Sequence, residues 1–367
     1  MQIEPRISPN FDGESFFKNP ATVEPFNFEL IRETALIDLT KPVKKPAIAI
    51  QIDGTDVLSF GNIGTLIGKA KAKKTFFVSQ IIASCIAGKW GDKISANITT
   101  DKNIVAFMDT EQAHWHVQKV HKRINRLLGK QTDVNIPKFQ AFKLREYSTK
   151  ERLKFIEEYI HSTPDLAVLI IDGIRDLITS INDEEQATEI VGQLMKWSEK
   201  RGIAILAVLH MNKGDNNARG HIGTELMNKS ECVISIEKDV HAPDRSIVSS
   251  LYQRDKEFSD FAFKINDSGL PEIETDWKPA QKDAKPTTKP TDCPREKHIE
   301  ILGTLKKVLS KEENPTYSVV INHLKYTINA KWKKIGDNLT KEYLTYYQNE
   351  GDISKIVDGK KTVYSVV

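Results

Sequence analysis

The stretch Gly68-Lys-Ala-Lys-Ala-Lys73-Lys74-Thr75 concentrates the residue types that bind phosphate. It nearly matches G-x-x-x-x-G-K-[ST], a spacing in which backbone N–H groups and a helix start surround a polyphosphate. In that arrangement Lys74 contacts the outer phosphates and the Thr75 hydroxyl ligates magnesium. Gly68, Lys69, Ala70, Lys71, Ala72, Lys73, Lys74, Thr75 and Phe76 are therefore the candidate nucleotide-binding residues. One position departs from the pattern. Lys73 stands where the second glycine belongs, and a side chain there is strained if the loop needs a positive φ. Either Lys73 points outward and adds charge near the nucleotide, or the loop is degraded and binds nucleotide poorly. The run Lys69, Lys71, Lys73 and Lys74 favours the first.

Two further stretches end apolar runs in acids. Asn103–Thr110 reads as a strand leading into Asp109-Thr110-Glu111-Gln112, on a strand expected beside the phosphate-loop strand, where Glu111 can orient or deprotonate water. Leu166–Ile171 runs into Asp172-Gly173, and Asp172 is the candidate holder of the magnesium hydration shell beside Thr75. Taken singly, such acids are as readily surface residues or helix caps.

The elements that must hold these groups alternate. Short apolar runs at Gly64–Ile67, Asn103–Met108, Leu166–Ile171 and Ile203–Leu209 are separated by helical stretches at Phe76–Ala87, Val117–Leu128, Lys150–Ser162 and Glu184–Lys200. Alternation of this kind implies an α/β fold of βαβ units on a mostly parallel twisted sheet. Val233–Ile236, Ser246–Gln253 and Phe261–Ile265 follow one another closely and are expected to extend that sheet as an antiparallel meander.

In this order and spacing the motifs resemble the RecA-like P-loop ATPase superfamily, which contains the RecA recombinases and the hexameric DnaB-type helicases. Phe107-Met-Asp-Thr-Glu111-Gln-Ala carries most of the likeness, and the style is closest to the small RepA-like helicases of plasmids and mobile elements. The resemblance spans about Ile63–Ile273. It implies ATP and Mg2+ as ligands, Glu111 as the catalytic base, and His210 at the strand tip where the family senses the γ-phosphate. It also implies that the Gly-rich segment Asn212–Thr224 faces DNA, with Lys213, Arg219 and His221 as phosphate contacts, single-stranded DNA being the expected partner. Arg254 and Lys256, on a late strand, take the place of a finger that reaches a neighbouring subunit's nucleotide, which implies a homo-oligomer, expected to be a hexamer. A helicase or translocase, an ATP-switched DNA-binding regulator and a scaffold that binds no nucleotide all remain open.

With 367 residues, more than one core is expected. Residues 1–45 read as an N-terminal arm with one amphipathic stretch at Phe28–Ile37, 46–277 as the ATPase domain, 278–296 as a linker and 297–367 as a small domain. Lys278–Pro294 carries Pro, Lys and Thr and no aliphatic residue larger than Ala, too little apolar surface to order itself. Beyond it, helical stretches at Arg295–Leu309, Tyr317–Tyr326 and Ala330–Asn349 precede two alternating runs joined by Asp358-Gly359, the order of a winged helix. Charge is uneven: residues 278–367 carry 17 Lys and Arg against 11 Asp and Glu, whereas the remainder carries 36 against 39. Lys331, Trp332, Lys333, Lys334, Lys360 and Lys361 would place basic and aromatic groups around the third helix and the hairpin, suited to duplex DNA, although winged helices also bind proteins. Three scattered cysteines argue against a disulfide framework or a zinc site, and no apolar run approaches the roughly 20 residues of a membrane helix. No membrane contact is expected, and a reducing cytoplasm fits best.

Overall fold

The computed structural model describes residues 26–181, 183–212, 218–279, 288–358 and 361–367. Lys213, Gly359, Lys360, residues 1–25 of the arm and residues 280–287 of the linker lie outside them. The chain divides at Pro279 into two compact units.

The first unit opens with α1 (Phe28–Ala35), capped by Asn27 and without a buried residue. There follow β1 (Ile48–Ile52), β2 (Thr55–Ser59), β3 (Ile63–Gly68), α2 (Lys74–Ala87), β4 (Lys89–Trp90), β5 (Ile94–Ala96), β6 (Ile104–Asp109) and α3 (His114–Leu127). The chain continues through β7 (Phe139–Lys143), α4 (Thr149–Ser162), β8 (Leu166–Asp172), α5 (Glu184–Arg201), β9 (Ala204–His210) and α6 (Gly220–Lys229). It closes with β10 (Cys232–Lys238), β11 (Arg245–Gln253), β12 (Phe261–Ile265) and β13 (Pro271–Ile273).

Nine of these strands form one sheet in the order β13-β12-β11-β10-β3-β9-β8-β6-β7. From β10 to β7 every pairing is parallel, and β11 to β13 continue antiparallel. Every residue of β3, β6 and β8 is buried, as parallel strands covered on both faces require. Alternate residues feed two apolar layers. Leu66, Val105, Phe107 and Val168 pack with Phe77 and Ile81 of α2 and Val117, Val120 and Ile124 of α3. Ile67, Met108, Leu169 and Ile171 pack with Ile156 of α4, Leu194 of α5 and Ile222 of α6. The chemistry of the sequence therefore sits at the C-terminal ends of a rigid parallel sheet, where open α/β sheets present ligand crevices.

Three expectations need correcting. The strand ending at Asp109 is not beside the phosphate-loop strand; β9 and β8 stand between β3 and β6. The run Val233–Ile236 is not the first strand of an antiparallel meander. As part of β10 it pairs parallel to β3, because α6 carries the chain back across the sheet first. That helix takes in Gly220–Thr224, which the sequence reading assigned to a loop. Four short strands, in the order β2-β1-β5-β4, form a separate sheet that the sequence reading lacked.

The second unit consists of α7 (Arg295–Leu309), α8 (Tyr317–Lys331), α9 (Asp337–Asn349) and the antiparallel pair β14 (Ile353–Asp358) and β15 (Lys361–Val366). Its core gathers Ile301, Leu305, Leu324, Ile328, Tyr343, Leu344, Tyr347 and Ile353. The second helix runs five residues past the expected end because Thr327 and Ile328 continue its buried face. The third begins only at Asp337, so Trp332, Lys333 and Lys334 connect two helices and Lys331 ends α8. The linker is also shorter than expected. Pro290 and Cys293 are buried in the second unit, and the Pro290 carbonyl accepts from His298 Nε2 at 3.0 Å. That hydrogen bond fixes the proton of neutral His298 on Nε2, leaving Nδ1 to accept from the Tyr347 hydroxyl at 2.9 Å.

Candidate functional site

β3 delivers its backbone to Gly68, and α2 starts six residues later at Lys74. Glycine is required at 68, since a Cβ there would lie 2.4 Å from the Ile236 carbonyl oxygen of the neighbouring strand. The loop between turns through two left-handed residues, Lys71 at φ 64° and Lys73 at φ 67°. Each costs about 1–3 kcal/mol relative to a relaxed conformation, as is common at ligand clamps. The glycine-like backbone of the motif is thus retained at position 73 without a glycine.

The Lys73 side chain extends to the turn after β10, where its amine donates to the Asp244 carbonyl. We expect Lys73→Gly to keep nucleotide affinity and turnover within about threefold of the parent in steady-state assays. A rise of about tenfold or more would mean that the lysine obstructs the loop.

Lys74 is directed inward. It is only 8% exposed, donates to the Gly68 carbonyl at 2.9 Å and lies 3.0 Å from His210 Nδ1. An ammonium can only donate, so neutral His210 carries its proton on Nε2, which faces Glu111 at 3.5 Å. Burial lowers the Lys74 pKa, with Asp172 and Glu111 opposing.

Across the cavity, the Thr75 hydroxyl donates to Asp172 Oδ2 at 3.0 Å. Asp109 and Asp172 are register partners on β6 and β8, which sets their carboxylates near one another. Asp109 accepts the backbone N–H groups of Glu111 at 2.9 Å and Gln112 at 2.6 Å, folding the strand end so that Glu111 turns into the site. The Thr110 hydroxyl lies 2.9 Å from the Gly173 carbonyl and ties the two acid-bearing strand ends together. The two carboxylates shift in opposite directions. Burial, helped by Asp109 and Glu111, pushes Asp172 up to about 7, whereas the hydrogen bond from His210 draws Glu111 down.

Hard oxygens on Thr75 and Asp172, with space for phosphate oxygens and water, fit magnesium. Because Asp172 must be ionised to serve, we expect Mg2+ affinity, measured by titration between pH 6 and 8, to rise with pH and level off above about 7. The sign of the stability effect is opposite. Between the unfolded carboxylate pKa and about 7 the metal-free fold binds the extra proton, so its stability falls as pH rises through that window.

The structure gathers Lys71, Ala72, Lys73, Lys74, Thr75, Phe76, Glu111, Asp172 and His210 around one cavity of about 430 Å3. Lys69 and Ala70 are exposed on the loop outside it. Arg254 and Lys256 are not on a strand: β11 ends at Gln253, which pairs with Cys232, itself opposite Gly64. They therefore lie at the far end of the sheet from Gly68. Arg219 and His221 are exposed at the start of α6, and the Arg219 N–H donates to the His210 carbonyl at 3.0 Å. In the second unit Lys331 and Lys334 are exposed, and the Lys333 amine lies 4.8 Å from the centre of the Trp332 ring. Lys361 opens β15. Sequence reasoning missed Asp109, Gln112, His116, Lys119 and Arg123, of which all but Asp109 line the cavity. A helical spacing of cations after the Glu111 strand was the available signal for the last two.

A phosphate-type loop between a buried parallel strand and a helix, with acids at the ends of β8 and β6 in the same sheet, is the arrangement that the resemblance to RecA-like P-loop ATPases implies. The sequence profile described as the AAA domain matches residues 46–216, somewhat under half of the chain, and that segment is similar to AAA-type ATPase domains. No curated protein matches the sequence. Among solved structures, that titled "Crystal structure of the RadB recombinase" shares 13% identity and a TM-score of 0.42, covering 59% of this chain and 92% of that one. Among the described residues no helix is long and apolar enough to cross a membrane.

Proposed function

We propose that the protein binds and hydrolyses ATP with Mg2+ and couples the cycle to DNA as an oligomer. The observation that carries this reading is the Thr75 hydroxyl on the Asp172 carboxylate at 3.0 Å, with Lys74, Glu111 and His210 around the same cavity. Lys74 holds the outer phosphates, Thr75 and Asp172 hold the metal and its water shell, and Glu111 accepts the proton of the attacking water. His210 registers whether the terminal phosphate is present, a role supported by its contacts with Lys74 and Glu111. Magnesium supplies charge neutralisation on the phosphates.

Arg254 and Lys256 lie far from the chain's own Gly68, which is consistent with a role toward another subunit's nucleotide. A trans finger of this kind makes turnover depend on assembly, which we take to be a ring, a hexamer in the helicase reading. Lys213, Arg219 and His221 after β9, and Lys331, Lys333, Lys334, Lys360 and Lys361 in a winged-helix-like second unit, are the proposed DNA contacts. The excess of cations over residues 278–367 supports a polyanionic partner for that unit.

The test is ATP turnover by the full chain with and without single-stranded DNA. Stimulation by DNA supports a helicase or translocase. A second reading is favoured by the strained lysine at position 73: ATP as a switch for a DNA-binding regulator, with slow hydrolysis indifferent to DNA. Absence of nucleotide binding overturns both.

A further inference from the structure

Four cations on α3 have no part in the reading above. Lys119, Lys122, Arg123 and Arg126 are spaced i, i+3, i+4 and i+7, which puts them on one face of the helix. With Phe76, Thr132 and the turn Asp267–Gly269 they line a cavity of about 480 Å3. Phe76, Lys119 and Arg123 line the nucleotide cavity as well, so the two spaces adjoin.

Arg123 is 9% exposed, with its guanidinium 3.6 Å from the centre of the Phe76 ring. One nitrogen donates to Ser79 Oγ at 3.1 Å and approaches the Thr75 carbonyl at 3.4 Å, and burial draws its pKa down to about 10. Arg126 donates to the Ser268 carbonyl at 2.6 Å. Among the described residues no carboxylate forms an ion pair with any of the four, and Asp267 is the acid on the wall of the cavity. A buried guanidinium without a counter-ion is costly, and three more cations on the same face add repulsion. An anion in the cavity offsets both. Lys122 and Arg126 do not line the nucleotide cavity, so phosphates held at Lys74 and the loop leave these two cations unmatched.

We propose that this cavity is a second phosphate subsite beside the nucleotide cavity, taking a phosphate ester carried either on the ribose of the bound nucleotide or on a separate molecule. It requires only the cations of α3 and does not depend on hydrolysis.

The test is calorimetric titration of the full chain with inorganic pyrophosphate, in the parent, in Lys74→Ala and in Lys122→Ala/Arg126→Gln. The double substitution removes two exposed cations that do not line the nucleotide cavity. The parent is expected to bind at two sites. Lys74→Ala should lose one, and the double variant should weaken the other by about tenfold or more at unchanged melting temperature. A single site, or one indifferent to the double variant, overturns the proposal.

Repeating the titration with saturating ATP separates the sources. Continued pyrophosphate binding assigns the subsite to a separate molecule. Where ATP blocks it, ATP bearing a 3′-phosphate should bind about tenfold tighter than ATP in the parent and equally in the double variant. If ATP blocks it and the extra phosphate adds nothing, the cavity holds no second phosphate subsite.

Discussion

Lys74→Ala should lower ATP turnover by about 10²–10³-fold, the scale seen when one preorganised donor to a developing oxyanion is removed. Neither Lys73 nor Lys69 is placed to stand in for it. Lys73, its neighbour, is committed to the Asp244 carbonyl, and Lys69 lies on the exposed outer side of the loop. Truncation also releases His210 Nδ1 from its contact and so loosens the imidazole that faces Glu111. The fold itself should not suffer. Lys74 is a buried cation whose charged form burial disfavours, and the Gly68 carbonyl keeps the Met211 N–H at 3.1 Å. Melting temperature at or above the parent's, together with lost turnover, is therefore the expected pair of results. Lys69→Ala serves as the control and should leave turnover near the parent value. Equal activity in parent and Lys74→Ala would remove the loop from the mechanism and return attention to the second unit.

How much of this arrangement was legible depends on whether a feature is local. Leu166–Asp172 and Asn103–Asp109 announce themselves because a strand buried on both faces must be apolar throughout and end abruptly at the first polar residue. The helix from Lys74 follows from the loop before it. Strand direction and order are not local: nothing in Val233–Ile236 says whether it runs with β3 or against it, and α6 decides the matter. The length of α8 depended on Thr327 and Ile328 finding a core, which an isolated reading of Tyr326–Lys331 does not reveal. Lys278–Pro294 misled in the opposite sense, because Pro290 and Cys293 borrow apolar surface from a unit that lies later in sequence. At the site, Glu111 could be found from its motif. Asp109 could not, since its work is to accept backbone N–H groups two and three residues on, a geometry that sequence alone does not distinguish from an ordinary strand-end acid. Arg123 was hidden for a related reason: a cation on an amphipathic helix reads as solvated until the structure places it 9% exposed over Phe76.

Glu111→Gln separates binding from chemistry, and its effect should be comparable: turnover lower by about 10²–10⁴-fold, the contribution of a positioned general base. The substitution keeps the shape of the side chain and the backbone N–H bond to Asp109, so the loop geometry survives. What it removes is the cavity carboxylate whose pKa is drawn down rather than up. Asp172 sits at about 7 and faces Thr75, whereas the His210 contact keeps Glu111 ionised throughout the neutral range. Nucleotide affinity should change by no more than about threefold, because the proposed phosphate contacts are Lys74 and the loop. Removing the negative charge also withdraws one of the neighbouring charges that raise Asp172, so the pH at which magnesium affinity levels off should move below that of the parent. Two readouts thus belong to one substitution: single-turnover hydrolysis, and Mg2+ titration against pH. Slow hydrolysis with an unshifted magnesium profile would place Glu111 outside electrostatic reach of Asp172 and contradict the cavity described here. Unchanged hydrolysis would show that another group, with His210 the nearest, takes the proton from water.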